Sequence, residues 1–302
     1  MTQPQADGDI ITFGHYIVTL IDVLGQGEKL QTLTSIPTNP GESEEFVKKL
    51  KGTFGTIEVL RKLFRDCFER YRDPRNMPGA KIDDLQAQDT PWALCPDNLR
   101  LGEVYFSDLF LFHAPIYKIG EHLSVREVYA MLTASASIMQ AAIAGRTALR
   151  GGIDIGIAAE LNPNDIYGAA LFRAGYLEKH VAQYPRIVVG QELLLFIEIE
   201  ASKGVAGLDG MPNAITAKLC RNIIQRDLDG VPFVDFLGPQ MREIAGEINS
   251  EDRERIQKGL SFVIGEHERF CKNAMLSERD RKLAQRYALL RGYYESRKEL
   301  WA

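Results

Sequence analysis

Two aspartates stand where apolar segments run out. Tyr16-Ile17-Val18-Thr19-Leu20-Ile21-Asp22-Val23-Leu24-Gly25 is a near-continuous apolar run rich in β-branched residues, the pattern of a strand buried on both faces. A carboxylate near its end is costly unless it pairs, accepts hydrogen bonds or binds a cation. Gly25 allows a tight turn and a close approach of backbone to a ligand. Far downstream, Val104-Tyr105-Phe106-Ser107-Asp108-Leu109-Phe110-Leu111-Phe112 reads as two strand segments reversing at a Ser-Asp tip. Asp108 is thereby expected at the end of a sheet, where chemistry is often presented. Each aspartate also has an ordinary reading as a turn residue. Their recurrence at two strand ends is what points to a site.

The elements that must position them follow in order. Residues 41–75 read as a helix with an acidic first turn and with Phe54, Ile57, Leu60, Phe64 and Phe68 at helical spacing. Residues 73–98, rich in Pro, Asp, Asn and Gly, read as a surface excursion. Ser124 to Leu149 is helical in pattern, with Ser124 and Glu127 as a capping box. Leu149 to Ala158 alternates like a strand whose glycines suit close packing. Asn162 to Asp165 is a turn, and Gly168 to Val181 a helix carrying Arg173, Glu178 and Lys179. Pro185 to Gly190 is a further strand, Val231 to Phe236 an edge strand, and residues 250–299 are charged and helical with Ile256, Leu260, Val263 and Ile264 on one face. This order predicts an α/β sandwich with a mixed or antiparallel sheet rather than a Rossmann sheet. No dinucleotide or Walker glycine motif follows any strand.

Composition sets bounds. With 302 residues, 45% hydrophobic and 25% charged, the chain has the make-up of a globular protein with a substantial core. A net charge of -5 argues against a surface that tracks nucleic acid, while leaving room for a local basic pocket. Neither a signal peptide nor a membrane span is expected. Cys67, Cys95, Cys220 and Cys271 have no metal or redox spacing, and a reduced cytoplasm fits.

Three pieces recur in a fixed order: the strand ending Ile21-Asp22-Val23-Leu24-Gly25, the hairpin with Ser107-Asp108, and Arg150-Gly151-Gly152-Ile153-Asp154-Ile155-Gly156. A fourth, Asp165-Ile166-Tyr167-Gly168-Ala169-Ala170-Leu171, runs into a helix. Over residues 13–200 this order resembles the catalytic domain of class III nucleotidyl cyclases, with residues 41–98 as a helical insertion and 201–302 as a mainly helical extension packed on it. The resemblance implies that Asp22 and Asp108 are carboxylate ligands of two Mg²⁺ or Mn²⁺ ions, with the Val23 carbonyl as a further ligand. Hard oxygen donors suit such ions. The reaction implied is attack of a ribose 3′-hydroxyl on the α-phosphate of a nucleoside triphosphate, with loss of pyrophosphate.

The departures narrow the expectation. Purine cyclases carry a base-reading Lys or Glu four residues before the second metal aspartate, and Val104 stands there. The other base-reading position keeps an aspartate, Asp165. Where the family has an Asn and an Arg on the following helix, this chain has Phe172 and Tyr176. With Tyr-Leu-Glu after Gly-Ala-Ala-Leu, Tyr184-Pro185-Arg186-Ile187 and the helical tail, the chain is similar to the bacterial pyrimidine cyclases of anti-phage defence.

That resemblance implies a cytoplasmic homodimer converting UTP, or else CTP, to its 3′,5′-cyclic monophosphate, with sites across the interface. Asp22 and Asp108 would come from one protomer, and Asp165 and Arg173 from the other. Phe172 and Tyr176 would line the interface, and the product would act on a separate cyclic-nucleotide-binding effector. Arg150 and Arg173, with Lys179 behind them, are the candidate cations against the triphosphate, each with an alternative as a surface cation. Asp154 is expected to be structural, and Arg186, in the Pro-Arg-Ile motif, has an equal alternative as the partner of a structural carboxylate. His15, His113, His122, His180 and His267 show no metal or triad spacing. The competing expectations are a non-catalytic cyclase-fold sensor and, less favoured, an adenylate or guanylate cyclase.

Overall fold

The apolar run at the start of the chain becomes the middle of a sheet. The computed structural model describes residues 12–25, 35–76, 100–118, 123–162, 165–203 and 211–302. Most of the excursion predicted over 73–98, His122, Cys95 and residues 204–210 lie outside the described residues. Strand β1 (Thr12–Val23) pairs antiparallel with β3 (Leu109–Lys118) on one side and with β4 (Leu149–Asn162) on the other. The remaining strands are β2 (Gly102–Phe106), β5 (Asp165–Gly168), β6 (Ile187–Val189), β7 (Ile224–Arg226) and β8 (Pro232–Val234). Together they form one eight-stranded sheet in the order β2-β3-β1-β4-β6-β8-β7, with β5 paired on β4. Only the β4–β6 pair is parallel among these pairings, so the sheet is mixed and the fold is an α+β sandwich.

Successive side chains of β1 point to opposite faces, and the two faces are built differently. Ile17, Ile21 and Val23 join Phe110, Phe112, Ile153 and Ile155 under a thick helical layer. That layer starts with α1 (Pro40–Arg72) and α2 (Arg126–Ala144). Asn39 caps α1 by accepting from the Glu42 N–H at 3.0 Å, and Pro40 sits in the first turn, where its missing N–H costs nothing. Phe64 of α1 stacks on Phe112 with ring centroids 3.8 Å apart, so this helix covers the sheet rather than hanging off it. Phe54, placed by periodicity with the buried residues, is exposed, while Thr53 and Ile57 take the buried side of the same turns.

Helix α2 is buried on nearly every side, which its Ala-rich sequence permits. Its start departs from the sequence expectation. Val125 is the N-cap with no side-chain cap bond, and the Glu127 carboxylate instead takes the Arg72 guanidinium at 3.2 Å. A buried acid needs a cation more than a helix needs a second cap. The helix also ends at Ala144, because Gly145 and the left-handed Arg146 turn the chain into β4.

The second face of the sheet is thin. Tyr16, Val18, Leu20, Leu111 and Ala158 are covered by Ile166 of β5 and by Ala170 and Ala174 of α3 (Ala169–Tyr176). Helices α4 (Gln191–Lys203), α5 (Met211–Asn222) and α6 (Pro239–Ala245) follow, and β8 lies inside β7 rather than at the edge predicted for it. Helices α7 (Ser250–Asn273) and α8 (Glu278–Arg297) return to the thick layer, where Ile256, Val263, Tyr287, Leu290 and Tyr294 belong to the same buried cluster as Ile17. Asp235 fastens α8 by accepting from the Tyr293 hydroxyl at 2.7 Å and pairing with Arg297 at 3.0 Å.

Candidate functional site

The β1 end and the β2–β3 hairpin meet at one corner of the sheet. Asp22 lies opposite Leu109 of β3 and opposite Arg150 of β4. Ser107 and Asp108 are the two residues between the paired Phe106 and Leu109, and Ser107 has a φ of 56°. Glycine is the usual occupant of that backbone region, so a serine there is a small strain held by its surroundings. The hold is visible: the Val23 N–H donates to the Asp108 carbonyl at 3.0 Å, fastening the hairpin tip to the end of β1. The carboxylates of Asp22 and Asp108 are thereby close enough that the charge of Asp108 raises the pKa of Asp22.

A guanidinium and a third carboxylate complete the corner. Nη2 of Arg150 donates to Asp22 Oδ2 at 3.2 Å and lies 2.5 Å from Oε1 of Glu178. Glu178 is buried and belongs to a π-helical turn, Leu177–Val181, that continues α3. The wide turn is seen in the bond from the Ala182 N–H back to the Leu177 carbonyl at 2.8 Å. Such turns recur at functional sites because they redirect a side chain without ending the helix.

Gly152 lets this turn approach. A Cβ there would lie 2.3 Å from the Ala174 carbonyl oxygen and 2.8 Å from the Glu178 nitrogen. Gly152 shares a sheet face with Arg150 two residues away, so its missing side chain is what sets Glu178 beside Arg150. Gly152→Ala should therefore push the turn away and cost at least about 2 kcal/mol in chemical denaturation, since the obstacle is backbone.

Burial pushes the Asp22 carboxyl up from its ordinary value to about 6; Arg150 opposes the rise, and the charges of Glu178 and Asp108 add to it. Three carboxylates against one guanidinium leave two negative charges uncompensated at neutral pH. That arrangement is unfavourable alone and would be relieved by a divalent cation. Among the described residues, no group of three or more His, Cys, Asp or Glu side chains has metal-holding geometry. Two carboxylates nonetheless fit a small hard cation, because Mg²⁺-type sites commonly use one or two carboxylates and take other oxygens from water and substrate phosphates.

The other sequence candidates lie elsewhere in the chain. Arg173 sits over Gly156, donates to the Ile155 carbonyl at 2.5 Å and pairs with Asp154 at 3.2 Å. Asp154 is buried and also accepts from the Ile155 and Leu193 N–H groups, each at 2.9 Å, so it ties β4 to the start of α4. Asp165 pairs opposite Asn162 at the far end of β4, about 40 Å of extended strand from Arg150. Within one chain, neither Arg173 nor Asp165 reaches the Asp22–Asp108 corner.

Val104 is half-buried against the thin-face cluster, and the Val23 side chain is buried under the helices. Phe172 and Tyr176 are 74% and 54% exposed on α3, and Lys179 is exposed beyond them. Arg186 is buried and held by Asp227 and Asp229 at 2.7 and 2.6 Å, the structural one of its two readings. His113 is buried over Gly102, and burial pushes its pKa down to about 4. His15 packs on Tyr117 and His180 on Tyr176.

Glu178 is the site residue that sequence reading passed over. Its only signal was its position, between Arg173 and Lys179, on the helix read over residues 168–181. Two grooves lie away from this corner, one of about 1110 Å³ between the end of α2, α7 and the last residues, the other of about 390 Å³ beside β7. No described helix is long and apolar enough to cross a membrane. Comparison with protein-family models, with curated proteins and with solved structures returned no match.

Proposed function

We propose that this protein is a pyrimidine nucleotide cyclase, converting UTP in preference to CTP to the 3′,5′-cyclic monophosphate and pyrophosphate. The observation that carries the reading is the meeting of Asp22 and Asp108 at one sheet corner, two carboxylates distant in sequence and fastened by the Val23–Asp108 bond. The four segments that resemble class III cyclases lie on adjacent strands: β1, the β2–β3 hairpin, β4, and β5 running into α3. Divalent Mn²⁺ or Mg²⁺ bound by Asp22 and Asp108 would neutralise phosphate charge and acidify the attacking hydroxyl. The ionised Asp22 is the protein's own acceptor nearest that chemistry. Arg150, with its guanidinium at the same corner, is the cation positioned to face the triphosphate. Val104 offers no charged group at the purine-reading position, which suits a smaller base. Assaying each ribonucleoside triphosphate with Mn²⁺ for a cyclic product tests the reading.

The site as proposed needs a second copy of the chain. Asp165 and Arg173, expected to contribute, are far from Asp22 within one chain, and α3, the helix on the thin sheet face, leaves Phe172 and Tyr176 exposed. Two exposed aromatics four residues apart on one helix suit an association surface. Phe172→Glu combined with Tyr176→Glu should convert the dimer to a monomer in sedimentation and lower turnover at least about a hundredfold, with thermal stability of the chain nearly unchanged. In a defence setting the cyclic product would act on a separate effector in the cytoplasm.

A further inference from the structure

We infer that Glu178 is a positioning residue which, by holding the Arg150 guanidinium, keeps the Asp22 carboxylate open to a divalent cation. The inference rests on the reading of Asp22 and Asp108 as a cation-binding pair. One nitrogen of Arg150 stands between two carboxylates: it donates to Asp22 at 3.2 Å and lies at ion-pair distance, 2.5 Å, from Glu178, whose Oε1 accepts no aligned hydrogen bond. Two features of the backbone exist on the Glu178 side of this bridge. The π turn aims Glu178 at β4, and Gly152 removes the side chain that would keep it away.

Charge counting gives the consequence. With glutamate at 178, Arg150 is shared between two carboxyl groups and neither holds it outright, which leaves Asp22 and Asp108 together for a divalent ion. With glutamine at 178, Asp22 is the one carboxylate left beside Arg150. The guanidinium would then close on Asp22 as a full ion pair, leaving Asp108 to hold the cation alone. If Glu178 served only to neutralise a half-buried arginine, its loss would lower stability and leave cation affinity unaltered.

The test titrates Mn²⁺ into the nucleotide-free full-length chain and follows the free ion by electron paramagnetic resonance. Glu178→Gln should weaken binding about tenfold or more, in the range seen for groups that orient metal ligands. Glu178→Asp, which keeps the charge, should stay near the wild type. The double variant Arg150→Met with Glu178→Gln removes both members of the shared pair and leaves no guanidinium to compete for Asp22, so it should recover most of the affinity. Wild-type affinity in Glu178→Gln, or a double variant as weak as the single one, overturns the inference while leaving the cation pair standing. Wild-type protein whose Mn²⁺ binding is absent, or is unaffected by Asp108→Asn, removes the cation pair itself and this inference with it.

Discussion

On the proposed cyclase reading, Asp22→Asn will remove turnover, by at least about a thousandfold, and will at the same time make the chain more stable near neutral pH. The two effects have one cause. Asp22 is largely buried, and its carboxyl is held up to about 6 by that burial, with Glu178 and Asp108 adding to the rise. In the unfolded chain the same carboxyl titrates near its ordinary value of 3.8. Between those values the native state holds a proton that the unfolded state has released, so native stability falls as pH rises from about 4 through about 6. Asparagine cannot ionise and escapes this loss. The gap between the variant and the wild type should open over that interval and level off above it. Partial exposure of the site and the lost Arg150 contact limit the gain to about 1 kcal/mol. Denaturation in chelator at pH 4, 5, 6 and 8 measures it. A variant that is less stable at every pH would show that Asp22 is there for the fold.

Arg150→Ala should do the opposite to stability. It leaves Asp22 and Glu178 as neighbouring, largely buried carboxylates with their shared cation gone. Breaking a buried pair from one side costs about 3–5 kcal/mol, because the surviving charge loses its partner and regains little water. Two surviving carboxylates put this case toward the upper part of that range. Adding Glu178→Gln should return much of the loss, and the non-additivity of the two substitutions in chemical denaturation measures their coupling. Additive losses would mean that the 2.5 Å contact carries no energy of its own.

How much of this was legible beforehand follows from what sequence patterns encode. The buried β1 strand, the hairpin at Ser107-Asp108 and the glycine-bearing β4 were readable because alternation, β-branching and turn chemistry are local signals. The buried faces of α1 and α7 were readable for the same reason, apart from Phe54. The Glu178–Arg150 contact was not, since it depends on a π turn, and no periodicity of apolar residues distinguishes a wide helical turn from an ordinary one. Arg173 was read as a cation for phosphate, but within the chain it answers Asp154, a buried acid in the strand beneath it. That partnership could have been suspected from the cost of burying Asp154, yet its geometry comes from Gly156 lying under the guanidinium. The Ser124–Glu127 capping box was displaced by a tertiary demand, the pairing of Glu127 with Arg72. In each case the local signal was real and a long-range contact outweighed it.

The most direct measurement incubates the purified chain with Mn²⁺ and ATP, GTP, CTP or UTP in separate reactions, with products separated by chromatography and identified by mass. The account predicts a cyclic pyrimidine monophosphate and pyrophosphate, most from UTP, and none from the Asp22→Asn or Asp108→Asn variants. A cyclic purine product, undiminished turnover in either variant, or no cyclic product from any of the four would contradict it.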